Sequence, residues 1–429
     1  MVVPGRLLAV RALLLAAFSF SLAACIDESE EPEEAVVDSP SGIQLIDLES
    51  FQEAVVVVGQ ADFTRSARDQ GGAVDANTID APFGNPGFHH DVLYLPDHNN
   101  NRVLGYLELP TENDAVADFV LGQPDFTTTA SGVSATQFSG PQTVFFDQGK
   151  MFLVSYDNSR VLIWNSIPAS GGVPADRVVG QVNLDSKAAG CSAAGLRSPE
   201  AGWAADGKLI VTDSGNHRVL IWNSIPTSNG VPADIVLGQQ DFKHCQPNVG
   251  VMDEPTAASL NFPAGVWSDG ERLVVSDTSN NRVLIWNSFP TESFTPADVV
   301  LGQETFTTNA PNDDDQDGDA DSAPSKRTLA GPYDGVYSNG VQLFIADSDN
   351  NRVLLWNRFP TNHFSPADVV LGQGSFTKRA ANDDDQDGSA DRDPSAKTLS
   401  FPTGVLLVAD QLVVTDGHNH RYLIYEKEE

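Results

Sequence analysis

An all-β six-bladed propeller built from four-stranded antiparallel blades is the fold this chain predicts, on three observations. An Asn-x-Arg turn leading straight into an apolar strand occurs six times, with its arginine at Arg102, Arg160, Arg218, Arg282, Arg352 and Arg421. These arginines lie 58 to 70 residues apart, a period that marks an array of units burying their cores against one another. The two ends are also complementary: a lone outer-strand copy, VVVVGQ at residues 55–60, precedes the first unit, and the last unit, residues 401–425, lacks one. The N-terminal strand should therefore complete the last blade and leave no open sheet edge.

The elements follow in order along the chain. Residues 1–24 carry Arg6, Arg11 and the apolar stretch LLLAAFSFSLAA with no acidic residue, the charge order of a secretory signal. The stretch ends in Leu22-Ala23-Ala24-Cys25, which resembles a bacterial lipobox and implies lipidation of Cys25. Residues 25–50 contain IDESEEPEEAVVDSPSG, rich in like charges and free of any hydrophobic period, and read as an acidic disordered tether. Residues 51–429 form the propeller. The expected location is the bacterial cell envelope, with contact to the membrane only through the lipid; in a diderm host, Ile26 after the cysteine implies the outer membrane.

Within each propeller unit the strands are short and Val/Ile/Leu/Trp-rich. The fourth unit shows them best as FPAGVWSDG, ERLVVSD, NRVLIWNSFP and PADVVLGQ, separated by Gly, Pro, Asn and Asp. Asp206-Gly207 and Asp269-Gly270 between apolar runs read as two-residue hairpin turns, which need positive φ. Trp164, Trp222, Trp286 and Trp356 recur in the third strand, and Trp203 and Trp267 in the first, as repeated core residues do.

The turn signature Asp-x-x-Asn-x-Arg-Val-Leu, present as Asp213, Asn216, Arg218, Val219, Leu220 and again as Asp277, Asn280, Arg282, Val283, Leu284, resembles the NHL repeat. The resemblance covers roughly residues 54–426 and implies a six-bladed propeller. Its aspartate recurs as Asp97, Asp347 and Asp416, while blade two carries Ser155 in its place. Recurrence of the Asp and Arg in nearly every blade implies a structural role, capping the turn and bridging strands. NHL propellers include protein-binding platforms, RNA-binding domains and a lyase, so the resemblance leaves the activity open.

Charge narrows the choice. The chain has a formal charge of −34, and without residues 1–24 it has 23 basic residues against 59 acidic ones, a formal −36. A field of that sign disfavours nucleic acid and favours cations or basic partners. Part of the charge concentrates in two near-copies, PNDDDQDGDAD at 311–321 and ANDDDQDGSAD at 381–391. Asp313, Asp315, Asp317, Gly318 and Asp321, like Asp383, Asp385, Asp387, Gly388 and Asp391, match the spacing of a calcium loop, in which alternate carboxylates converge and glycine allows the sharp turn. The bidentate glutamate of an EF-hand is absent, with Pro324 and Pro394 at its position, so the loops resemble the broader DxDxDG class. Ca2+ is the expected ion, at an affinity suited to the millimolar calcium outside a cell.

Strand order puts the long joins between blades, residues 61–85, 124–140, 182–198, 240–262, 304–331 and 374–401, on the same face as the Asp-x-x-Asn-x-Arg turns. Variable loops on a rigid ring carry recognition, so this face is the candidate binding surface for a protein, peptide or envelope glycan. Cys191 and Cys245 fall in consecutive joins, where either a disulfide or two free thiols would fit. A binding or scaffolding module, expected to be a monomer, is favoured over an enzyme. The catalytic alternative is a metal-dependent hydrolase or lyase with its site in the central channel, drawing on His98, His418 and His420.

Overall fold

The computed structural model describes residues 45–427; the leader, Cys25 and most of the acidic tether lie outside them. Six four-stranded antiparallel sheets are present. Blades one to five span residues 87–121, 141–179, 202–237, 263–301 and 332–371, each a simple meander. Blade six takes three strands from residues 402–426 and its fourth from Val56–Val58, which pairs antiparallel with Arg421–Glu426 in the register Val56↔Ile424, Val57↔Leu423, Val58↔Tyr422. The chain thus closes its own ring. Among the described residues no helix is long and apolar enough to cross a membrane.

Closure follows from where the apolar residues point. Each strand has two apolar faces, and the six hydrophobic cores lie between blades and not within them. Ile210 and Ile221 of blade three pack with Val275 and Trp286 of blade four, and Val274 and Ile285 on the other face of blade four pack with Ile345 and Trp356 of blade five. The core joining blades six and one holds Val56 and Val58 with Leu93 and Leu104, so the N-terminal strand is an integral wall of it. A strand buried on both faces reads as a continuous apolar run, which is why RVLIW recurs without alternation. The four third-strand tryptophans are buried and donate their indole N–H to a carbonyl nine residues on, as in Trp222 to Val231 at 2.9 Å.

Two local expectations need correction. Asp206 and Gly207 do form a two-residue turn with φ of 51° and 74°. At Asp269-Gly270 the connection is instead four residues long, because Asp269 Oδ1 accepts the backbone N–H groups of Glu271 and Arg272 and stabilises a wider turn. The tether also ends earlier than residue 50. Ile46 and Leu48 are buried, and the Ile46 backbone exchanges two hydrogen bonds with the Gln342 side chain of blade five.

Candidate metal and binding face

The turn between the second and third strand of each blade organises the join-bearing face. Its arginine is fully buried in all six blades. In blade three, Arg218 Nε donates to Asp213 Oδ2 at 2.7 Å, Nη1 to Phe242 O at 2.9 Å, and Nη2 to Ser192 O and Gly195 O at 2.8 and 3.0 Å. One guanidinium therefore ties the join before its blade to the join after it. Asp213 Oδ2 also accepts from Asn216, and Oδ1 accepts the Arg197 N–H at 2.6 Å. Asp97, Asp277, Asp347 and Asp416 repeat the pattern with Arg102, Arg282, Arg352 and Arg421. Burial pushes Asp213, Asp277 and Asp347 above the ordinary carboxylate range against the opposing pull of their arginines, and it carries Asp97 to about 6. In blade two, Ser155 leaves Arg160 Nε buried without a partner, and burial lowers that guanidinium to about 10.

Two further sixfold devices act here. The Gln ending each VVLGQ-type run is buried and donates to the motif turn and to its own join, as Gln303 does to Asn281 O and Ala310 O at 3.2 and 2.8 Å. The residue just before each arginine sits in the left-handed region, with φ between 50° and 54°. Its side chain accepts a backbone N–H at the start of the following blade. Asn101, Asn281 and Asn351 do so from Gly140, Gly331 and Phe401, Ser159 from Ser198, and His217 and His420 from Phe262 and Ala81. We call these contacts blade latches. The repetition of GQ and of Asn at these positions was visible in the sequence, but their partners are set by neighbouring blades.

His420 Nδ1 lies 2.8 Å from the Ala81 N and 3.2 Å from Asp80 Oδ1. The closer contact requires an unprotonated acceptor, and burial lowers the His420 pKa despite the facing Asp80. His418 stacks on Phe401 with ring centroids 4.6 Å apart, and His98 is a half-buried imidazole held down in pKa by desolvation, its buried Nδ1 without a partner. These three histidines do not form a metal-sized group. Among the described residues, groups of three or more His, Cys, Asp or Glu tight enough to hold an ion are two: Asp313, Asp315 and Asp317, and Asp383, Asp385 and Asp391, each with ligand atoms within 4.8 Å of one another.

Each acidic loop is built the same way. Asp313 and Asp383 are fully buried at the root, and Asp315, Asp317, Asp385 and Asp391 are exposed. Gly318 and Gly388 both take φ of +92° and donate their N–H to Asp313 and Asp383 Oδ2 at 3.0 and 2.9 Å. A side chain at that φ would be strained, so the glycine is required by the turn. Asn312 and Asn382, just before each loop, exchange paired amide hydrogen bonds with the motif residues Asn350 and Asn419, fixing the loop to the blade. Asp321 and Asp387 stand outside the two triads. Asp321 Oδ2 accepts the Asp314 N–H and Asp387 Oδ1 the Ser389 N–H. Asp383 Oδ1 is buried and has no hydrogen-bond partner. Cys191 and Cys245 are joined in a disulfide with Cα atoms 6.4 Å apart, linking the joins on either side of blade three.

The chain matches no protein-family model and no curated protein. Solved structures similar to it include the WD40 propeller domain of Doa1 at 9% identity, covering 89% of this chain and 95% of that one with a TM-score of 0.41. Virginiamycin B lyase from Staphylococcus aureus is similar at 11% identity, covering 82% and 97% with a TM-score of 0.39. A nidogen/laminin complex is similar at 14% identity, covering 68% and 85% with a TM-score of 0.37.

Proposed function

We propose that this chain is a calcium-binding propeller that serves as a binding or scaffolding module at a bacterial cell envelope, with a lipid on Cys25 as its anchor. The supporting observation is the pair of acidic loops on the join-bearing face. Each gathers three carboxylates, a buried root aspartate and two exposed ones, on a backbone turn that only its glycine permits, and each is pinned to a blade by a paired asparagine contact. Ligand sets made only of carboxylates select hard cations, and the flexible, partly exposed geometry suits calcium better than magnesium, which demands a near-ideal octahedron. Loops standing on a ring held by buried arginines keep their spacing when a partner docks. The net charge of −34 favours a cationic or calcium-bridged protein, peptide or glycan over nucleic acid.

The test is calorimetric titration of the metal-stripped full chain with calcium, beside a variant in which Asp313, Asp315, Asp383 and Asp385 are changed to Asn. The reading predicts two loop sites with affinities of about 10⁻⁴–10⁻³ M, both lost in the variant. Unchanged heats in the variant would refute it. The anchor is tested separately, by metabolic labelling of the expressed chain with a radiolabelled fatty acid and loss of the label in Cys25→Ala.

A further inference from the structure

We propose that the central channel holds a hard divalent cation, bound by the carboxylates of Glu200 and Asp334 together with the side-chain carbonyl of Gln142, at a site separate from the two acidic loops. The first strands of the blades line the channel and pack on one another, as the close approach of Gly265 to the Asp334 carbonyl shows. Gln142 lies in the first strand of blade two, Pro141–Asp147, and Asp334 in that of blade five, Pro332–Ser338; Glu200 immediately precedes that of blade three, Gly202–Ala205. All three side chains are buried, at 3%, 0% and 1% exposure for Gln142, Asp334 and Glu200.

Their hydrogen bonding is incomplete in one particular way. Glu200 accepts on both oxygens, from the Tyr333 hydroxyl at 3.1 Å and from Gln142 Nε2 at 2.6 Å. Both oxygens of Asp334 and the Oε1 of Gln142 are buried and have no partner. Among the described residues neither acid has an ion pair, whereas each buried motif aspartate has its arginine. Two buried carboxylates without a counter-charge are too costly to stay ionised. Desolvation first, and then the mutual repulsion of the pair, raises Asp334 well above its usual range.

Protonation would relieve the charge but not every orphan acceptor. A proton on Asp334 makes one oxygen a donor, which Gln142 Oε1 can accept, and leaves the other Asp334 oxygen unmatched and Glu200 without a counter-charge. A cation satisfies all three atoms and both charges together. The donors are all oxygen, with no imidazole or thiolate among them, which selects calcium or magnesium over zinc or copper. Tyr333 covers the group from the join-bearing side, and the rings of Phe83, Phe262 and Phe401 gather around it with centroids 5.7 to 6.4 Å away. The ion would therefore exchange slowly, unlike calcium in the exposed loops.

The experiment uses the full chain with Asp313, Asp315, Asp383 and Asp385 changed to Asn, so that loop sites do not contribute. The expected result is about one divalent ion per chain retained through gel filtration without added metal. Chelator stripping should lower the unfolding midpoint by about 3–5 °C, with recovery on adding calcium or magnesium but not potassium. Adding Glu200→Gln and Asp334→Asn should abolish retention. Absence of retained metal together with no response to either ion overturns the proposal, as does undiminished retention in the channel variant. Should that variant fail to fold, crystals of the unaltered protein soaked in Mn2+ decide it. An anomalous peak against Glu200 and Asp334 supports the site, and peaks confined to the loops overturn it.

Discussion

Arg218 Nε lies 2.7 Å from Asp213 Oδ2, and neither side chain has any exposure to solvent. A buried pair of this kind owes its value to completeness, because removing one partner strands the other charge in a low-dielectric interior. Arg218 also holds three carbonyls from two joins, so its loss loosens the candidate binding face as well as blade three. Arg218→Ala should cost about 3–5 kcal/mol in denaturant unfolding.

Blade two supplies the converse experiment. Arg160 Nε has no partner because Ser155 stands where the other blades carry aspartate. The Ser155 hydroxyl already meets the Ser139 backbone and Asn158, the groups that a motif aspartate would engage. Ser155→Asp should therefore stabilise the chain by about 1–3 kcal/mol, measured by the same unfolding midpoint and slope.

How much of this was legible in the sequence differs by feature. The six arginines, the strand order and the N-terminal clasp were legible because they repeat or pair at fixed spacing, as Val56–Val58 against Arg421–Glu426 shows. The carboxylates of the acidic loops were legible as a motif, but which of them converge was not. Asp391 joins the second triad while its counterpart Asp321 stays outside the first, where Asp317 takes the third place, although both accept the same backbone N–H of their loops. Glu200 and Asp334 went unread because each occurs once, Glu200 just before a first strand and Asp334 within one, and their meeting depends on ring closure. The blade latches were missed since Asn, Ser and His share no chemical class except an acceptor atom.

His217 gives a pH dependence with a definite sign. Its Nδ1 accepts the Phe262 N–H at 3.1 Å, and burial lowers its pKa below 6.5, opposed by Asn261 and Asp277 and assisted by Arg197. The unfolded chain takes up the proton near pH 6.5 while the folded chain refuses it, so the contribution is intact above that pH. It is lost as pH falls from 6.5 toward the lowered folded value, at up to about 1.4 kcal/mol per pH unit. Three blades already use Asn for this latch. His217→Asn should change stability at neutral pH by less than about 1 kcal/mol and reduce the acid slope of stability against pH.

The Cys191–Cys245 disulfide closes a chain loop spanning blade three, with a sequence separation of 54. The paired substitution to serine should lower stability by about 2–4 kcal/mol, since the cross-link restricts the unfolded chain. Non-reducing peptide mapping of the unaltered protein should recover both cysteines in one linked fragment.

The most direct measurement of the central claim is a crystal structure of the full chain grown in calcium. The account predicts density in both acidic loops, with carboxylate oxygens of Asp313, Asp315 and Asp317 and of Asp383, Asp385 and Asp391 at about 2.3–2.6 Å from the ion. Loops occupied only by water at millimolar calcium would contradict it.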